Sequence, residues 1–143
     1  ALALVQRGTV GTEDEAFDKY LKDNGPAFVQ TEWMSLAEAM RFISETEGVA
    51  VIAHPGRYNF AAPLTTIDLL EEFKALGGDA IEVTTGSHFE AENERYTRVA
   101  LNMGFLASTG SDYHGFKPGR PEPGLQEPLP EYLPTVLELL KDR

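Results

Sequence analysis

Two hydrophobic periods divide the chain. Up to Gly48 the apolar residues recur at helical spacing. Thr12 and Glu15 stand three apart, as in a capping box, and Phe17, Tyr20 and Leu21 follow on one helical face. The pattern predicts a helix over 12–22, ended by Asn24-Gly25-Pro26. Ser35 and Glu38 repeat the box ahead of Leu36, Ala39, Met40 and Ile43, with Gly48 as the stop. Residues 1–7 read as the tail of an earlier helix.

From Val49 the pattern changes. Residues 49–53 form a short apolar run, the mark of a strand buried on both faces. Thr65-Thr66 opens a helix carrying Leu69, Leu70, Phe73 and Leu76, closed by Gly77-Gly78. Residues 80–84 predict a second strand, 90–103 an amphipathic helix with Tyr96, Val99, Ala100 and Met103 on its face, and 105–109 a third strand. Alternation of this kind requires parallel strands joined by right-handed crossovers, an α/β fold. A connection rich in proline follows, then a last helix near 134–141.

Composition narrows the function. With 143 residues, 42% of them hydrophobic, the chain is long enough for one domain with a core. Twelve basic against 23 acidic residues leave a net charge of −11. A field of that sign disfavours a broad nucleic-acid-binding face, although bound cations would reverse it locally for a phosphorylated substrate. The absence of cysteine removes disulfides, thiolate metal sites and cysteine catalysis. No apolar stretch predicts a membrane span or a signal peptide, so a cytoplasmic protein is expected. The chain begins at Ala1 inside an apolar run, as though cut from something longer.

The informative feature is positional. Each predicted strand runs into a polar cluster at its C-terminal end: His54-Pro55-Gly56-Arg57-Tyr58, Thr85-Gly86-Ser87-His88 and Gly110-Ser111-Asp112-Tyr113-His114. Ligands bind at that end of parallel sheets, and all three histidines of the protein lie there. Asp112 and His114, two apart in an extended segment, would point the same way about 6.6–6.8 Å apart, a spacing suited to one metal or two adjacent ones. A loop-capping Asp and a surface His are the plainer alternative. Pro55 and Gly56 force a turn that presents His54 to the loop side. Arg57 offers a planar fork for phosphate, with a surface ion pair standing equally open. His88 is open between a metal ligand, a proton donor to a leaving group and a solvated residue, with a substrate-side role favoured. Glu82 alternates away from Ile81 and Val83 towards the interior or the site, and a salt bridge explains it as well. Without thiolate the metals that fit are manganese, zinc, iron and magnesium, and three ligands are few for a multimetal centre.

In order and spacing, AVIAHPGRY (50–58), IEVTTGSH (81–88) and STGSDYHG (108–115) resemble the polymerase and histidinol phosphatase (PHP) family, nearest its TrpH-like branch. The helical segment before them, with ALVQRG, EAFDKYL, GPAFV and SLAEAM, resembles the small insertion of that branch. The resemblance implies a distorted, TIM-like (β/α)7 barrel, with 1–47 as a helical insertion and 48–143 as its C-terminal β/α units. It implies divalent cations, often manganese, held by His54, Asp112 and His114. It also implies a phosphoesterase acting on a nucleoside 3′,5′-bisphosphate or an oligoribonucleotide 5′ end, with Arg57 and His88 on the substrate. No catalytic acid or base is assigned. The family's opening H-x-H strand is absent from the 143 residues, which suggests the C-terminal half of such an enzyme. Two other readings stand beside it: a non-catalytic interaction module derived from the barrel, and a different TIM-like metal-dependent hydrolase that cleaves C–N bonds.

Overall fold

The computed structural model describes residues 1–141, which fall into two compact units, Ala1–Met34 and the remainder from Ser35. In the first unit, α1 (Leu2–Gln6) precedes α2 (Glu13–Ala16), whose N-terminus is capped by the Thr12 hydroxyl accepting from the Glu15 amide at 3.1 Å. The helix expected over 12–22 changes character midway. Its second half, Phe17–Leu21, is a π-helical turn, closed by the Lys22 amide donating to the Phe17 carbonyl at 3.0 Å. Beyond it Asn24 takes a left-handed φ of 66° and the chain turns.

The second unit opens with α3 (Leu36–Glu45), where Ser35 and Glu38 form the full reciprocal box. The left-handed residue that ends α3 is Glu47 (φ 53°). Gly48 follows it and donates to the Ile43 carbonyl at 2.9 Å. Met40 is buried, and Leu36 and Ile43 pack beside it on the core.

Strands β1 (Val51–Ile52), β2 (Ala80–Thr85) and β3 (Leu106–Gly110) form a parallel sheet in that order. The alternation of periods did foretell this. Between them run α4 (Thr66–Ala75), capped by Thr65 and Asp68, and α5 (Glu90–Met103), ended by Gly104 at φ 66°. Phe73, Leu70, Tyr96, Ile81, Val83, Ala107 and Phe105 form the core, with the rings of Phe73 and Phe105 stacked at 5.7 Å. Gly78 is tied to this core by close approach: a Cβ there would lie 2.4 Å from the Phe73 ring. Among the described residues no helix is long and apolar enough to cross a membrane.

Two expectations need correction. β1 is neither five residues long nor buried on both faces: among the described residues it pairs only with β2, and Val51 is 39% exposed. An apolar run reports affinity for a core but not how many neighbours cover it. The last helix, expected from 134, is α6 (Leu137–Leu140). Its first turn is lost because the Pro134 carbonyl accepts from the Ala107 amide (2.8 Å) and the Val136 amide donates to the Ala107 carbonyl (2.9 Å). Thr135 thereby bridges the free edge of β3 in parallel. β2, paired with both β1 and β3, is flanked on both sides, and Ala80, Ile81, Val83, Thr84 and Thr85 are all buried.

Truncating Phe73 to Ala should cost about 3–5 kcal/mol, the usual penalty for removing a buried aromatic ring. Urea denaturation checks this, and a loss below about 1 kcal/mol would contradict the placement of Phe73 in the core.

Candidate active site

Parallel pairing brings the three polar clusters to one end of the sheet. At the end of β1, His54 adopts a left-handed conformation (φ 31°, ψ 57°) and starts a single 3-10 turn, Pro55–Arg57. The turn foreseen at Pro55 and Gly56 thus begins one residue earlier, at the histidine itself. Its amide donates to Glu82 Oε2 at 2.7 Å, and its ring meets Tyr58 edge to face at 5.9 Å. Its Nδ1 is buried and has no hydrogen-bond partner among the described residues.

At the end of β2, the Gly56 amide donates to His88 Nε2 at 3.0 Å, and the imidazole stacks on Tyr96 at 5.3 Å. An accepting Nε2 makes His88 the Nδ1-protonated tautomer. That Nδ1 is also buried without a partner among the described residues, so His88 is not the solvated surface group that one reading allowed. The contact requires glycine, since a Cβ on Gly56 would lie 2.7 Å from Nε2.

At the end of β3, Asp112 also takes a left-handed φ of 49°. The chain there is not extended, which corrects the spacing argument that set Asp112 and His114 side by side at strand rise. The backbone turn tucks the Asp112 side chain in, to 9% exposure, and leaves that of His114 at 74%. The His114 ring instead folds back, its Nδ1 2.9 Å from the Asp112 carbonyl oxygen and 3.6 Å from Oδ1. Arg57 Nη1 reaches Asp112 Oδ2 at 2.8 Å. Of the two readings left open for Arg57, the ion pair is therefore the contact present.

Burial pushes the Asp112 carboxyl up, but the Ser87 hydroxyl, the Arg57 guanidinium and the nearby His54 outweigh it and hold the group below the usual carboxylate range. Ser87 was not singled out in the sequence. Neither was Arg120, whose Nη1 donates to the Gly86 carbonyl at 2.7 Å and draws the proline-rich connection back to the site. A cavity of about 420 Å³ opens there, lined by His88, Asn93, Arg120 and Glu127 among others. The available signal was Gly86, whose Cβ would stand 2.1 Å from the Ser111 carbonyl oxygen. A glycine directly after a buried strand marks a loop that another backbone touches.

His54, Asp112 and His114 offer two imidazoles and a carboxylate, a donor set that suits a borderline divalent cation. Among the described residues, however, no group of three or more His, Asp or Glu side chains is gathered closely enough to hold a metal by itself. The fit is one of donor type rather than of present spacing.

No family model matches the sequence. Over 140 residues the chain is 39% identical to the 3′,5′-nucleoside bisphosphate phosphatase of Chromobacterium violaceum, covering 98% of this chain and 49% of that protein. It is 36% identical over 111 residues to a 5′-3′ exoribonuclease of Haemophilus influenzae, covering 78% of this chain and 40% of the relative. Among solved structures, a Chromobacterium violaceum protein described as an amidohydrolase, with bound sulfate and no metal, superposes with a TM-score of 0.80 at 36% identity, over 97% of this chain and 48% of that one. A Bifidobacterium adolescentis protein described as a metal-dependent phosphoesterase gives 0.71 at 27% identity, over 97% and 46%. The α/β fold with its parallel sheet is thus shared with hydrolases. The curated relatives above are named for reactions on phosphate esters. The chain spans about half the length of the relatives it matches.

A depressed Asp112 pKa stabilises the fold above the ordinary aspartate value, and that stabilisation is lost as pH falls through the lowered one. Arg57→Ala should raise the Asp112 midpoint and start the acid-side loss at higher pH. A ¹³C NMR titration of the carboxyl in metal-free protein reads this directly, and an unmoved midpoint would contradict the pair.

Proposed function

We propose that this chain supplies part of the active site of a metal-dependent phosphoesterase of the PHP family, hydrolysing a nucleoside 3′,5′-bisphosphate or the 5′ end of a short RNA. The observation that carries the reading is the gathering of His54, Arg57, Ser87 and Asp112 at the C-terminal ends of adjacent parallel strands. Similarity to a bisphosphate phosphatase over 98% of the chain supports it. In this reading the sheet is an arc of a distorted (β/α)7 barrel, residues 1–47 are a helical insertion, and the protein works in the cytoplasm.

His54, Asp112 and His114 would hold divalent cations, of which manganese suits the oxygen and imidazole donors, with zinc, iron and magnesium as alternatives. When bound, such cations supply a water of lowered pKa and neutralise phosphoryl oxygens. The rest falls to the chain's own groups. Ser87 keeps Asp112 ionised and oriented through its hydroxyl. Arg57, half-exposed beside Asp112, is free to swing its remaining N–H groups onto a phosphate. His88, fixed by the Gly56 amide and Tyr96, lines the cavity beside Arg120 on the substrate side. No residue is assigned as general acid or base. The name amidohydrolase given to one similar structure keeps C–N hydrolysis as a second reading. Arg57 beside the carboxylate favours a phosphate over an amide, because a guanidinium fork matches phosphate oxygens.

Asp112→Asn should lower Mn²⁺ affinity and turnover of both substrates by at least ~10–100-fold with the fold intact, since an amide of equal size carries no charge. Arg57→Ala should raise KM on both substrates while metal content holds. Elemental analysis beside steady-state kinetics separates the two. Full metal content and turnover in Asp112→Asn would defeat the assignment.

A further inference from the structure

Glu82 stands on the central strand between two fully buried residues, Ile81 and Val83, where a carboxylate needs partners. Oε2 accepts the His54 amide at 2.7 Å, across to the end of β1. Oε1 lies on the other side against Gly110, the last residue of β3, where an added Cβ would stand 2.4 Å from it. The ladder between β2 and β3 slips between Glu82 and Thr84, so Glu82 sits where the pairing changes register. From within β2, one carboxylate thus links the ends of β1 and β3, in a space that exists because residue 110 has no side chain.

The His54 ring lacks the usual means of orientation. A metal-binding imidazole ordinarily donates its other N–H to a carboxylate or carbonyl, which sets ring angle and tautomer. His54 Nδ1 has no such partner among the described residues. The backbone is held instead, in a left-handed conformation that is uncommon for a non-glycine residue. The bond at that amide is charge-assisted, the strong kind. We propose that Glu82 is the positioning residue of the cation site, holding the His54 backbone so that the imidazole faces Asp112, with Gly110 providing the room. The proposal rests on the reading of His54 as a metal ligand.

The test measures Mn²⁺ affinity, by electron paramagnetic resonance of the free ion, in the protein carrying Glu82→Ala, Glu82→Gln, His54→Ala and the His54→Ala/Glu82→Ala pair. Thermal melts accompany each variant. Glu82→Ala should weaken binding about 10–100-fold, the range for losing a group that orients a ligand. Glu82→Gln, whose carbonyl can still accept from the His54 amide, should recover most of that loss. In the His54→Ala background Glu82→Ala should bring no further loss, because a group that acts through His54 has nothing left to act on. An equal loss in both backgrounds, or a Gln variant as weak as the Ala one, overturns the proposal. Wild-type affinity in His54→Ala alone would instead bring down the reading of His54 as a ligand. Should Glu82→Ala unfold, Gly110→Ala displaces the same carboxylate and should weaken Mn²⁺ alike; unchanged affinity there overturns the proposal too.

Discussion

Parallel pairing makes every strand of a sheet end on the same side, and the polar loops of this chain depend on that constraint. β2 is the member that enforces it, because it is bonded on both edges and buried along nearly its whole length. Its neighbours inherit their direction from it. The loop residues 54–58, 85–88 and 110–114 are separated by 26 and 21 residues in sequence, yet they meet because the strands before them run side by side. No long-range attraction between the polar groups is needed. The apolar faces of α4 and α5 close over the sheet and hold the arrangement.

Once the strand ends are together, glycine decides how closely they approach. Gly56 lets the first loop touch the His88 ring, Gly86 lets the second touch the Ser111 carbonyl, and Gly110 makes room for the Glu82 carboxylate. The result is a small set of charged and polar side chains held by backbone contacts rather than by one another. Asp112 is the exception. Its ion pair with Arg57 and its hydrogen bond from Ser87 give it a stable charge in the absence of any cation. A site that is to receive a cation gains from a carboxylate that is already ionised, provided that its partner can move aside. Arg57 is long and half-exposed, so it meets that condition.

Much of this was legible from residue order. The capping box at Ser35, the helix start at Thr65, the strand–helix alternation and the placing of polar clusters at strand ends follow from local chemistry that operates over a few residues, and α3, α4, α5 and the strand order agree with it. The failures were of a different kind. The shortness of β1 depends on which strands cover it, and the loss of the first turn of α6 depends on Ala107, about 30 residues upstream. The left-handed backbone at His54 and Asp112 was hidden because neither is glycine and nothing in their neighbours requires it. The partners of Asp112 lie on two other loops, so only the assembled sheet could reveal Ser87, and Arg57 was left open between two partners for the same reason. Glu82 was read as a group needing a partner; that this partner is a backbone amide 28 residues away is a tertiary fact.

On the proposed function, the ends of these strands receive a divalent cation through His54 and Asp112. Crystals of the protein soaked in Mn²⁺, with diffraction recorded at the manganese absorption edge, test it most directly. The expected result is an anomalous-difference peak bonded to a His54 ring nitrogen and an Asp112 carboxylate oxygen at about 2.0–2.2 Å, with Arg57 moved off the carboxylate. A peak elsewhere on the surface, with the Arg57–Asp112 pair still closed and His54 without a ligand contact, would contradict it.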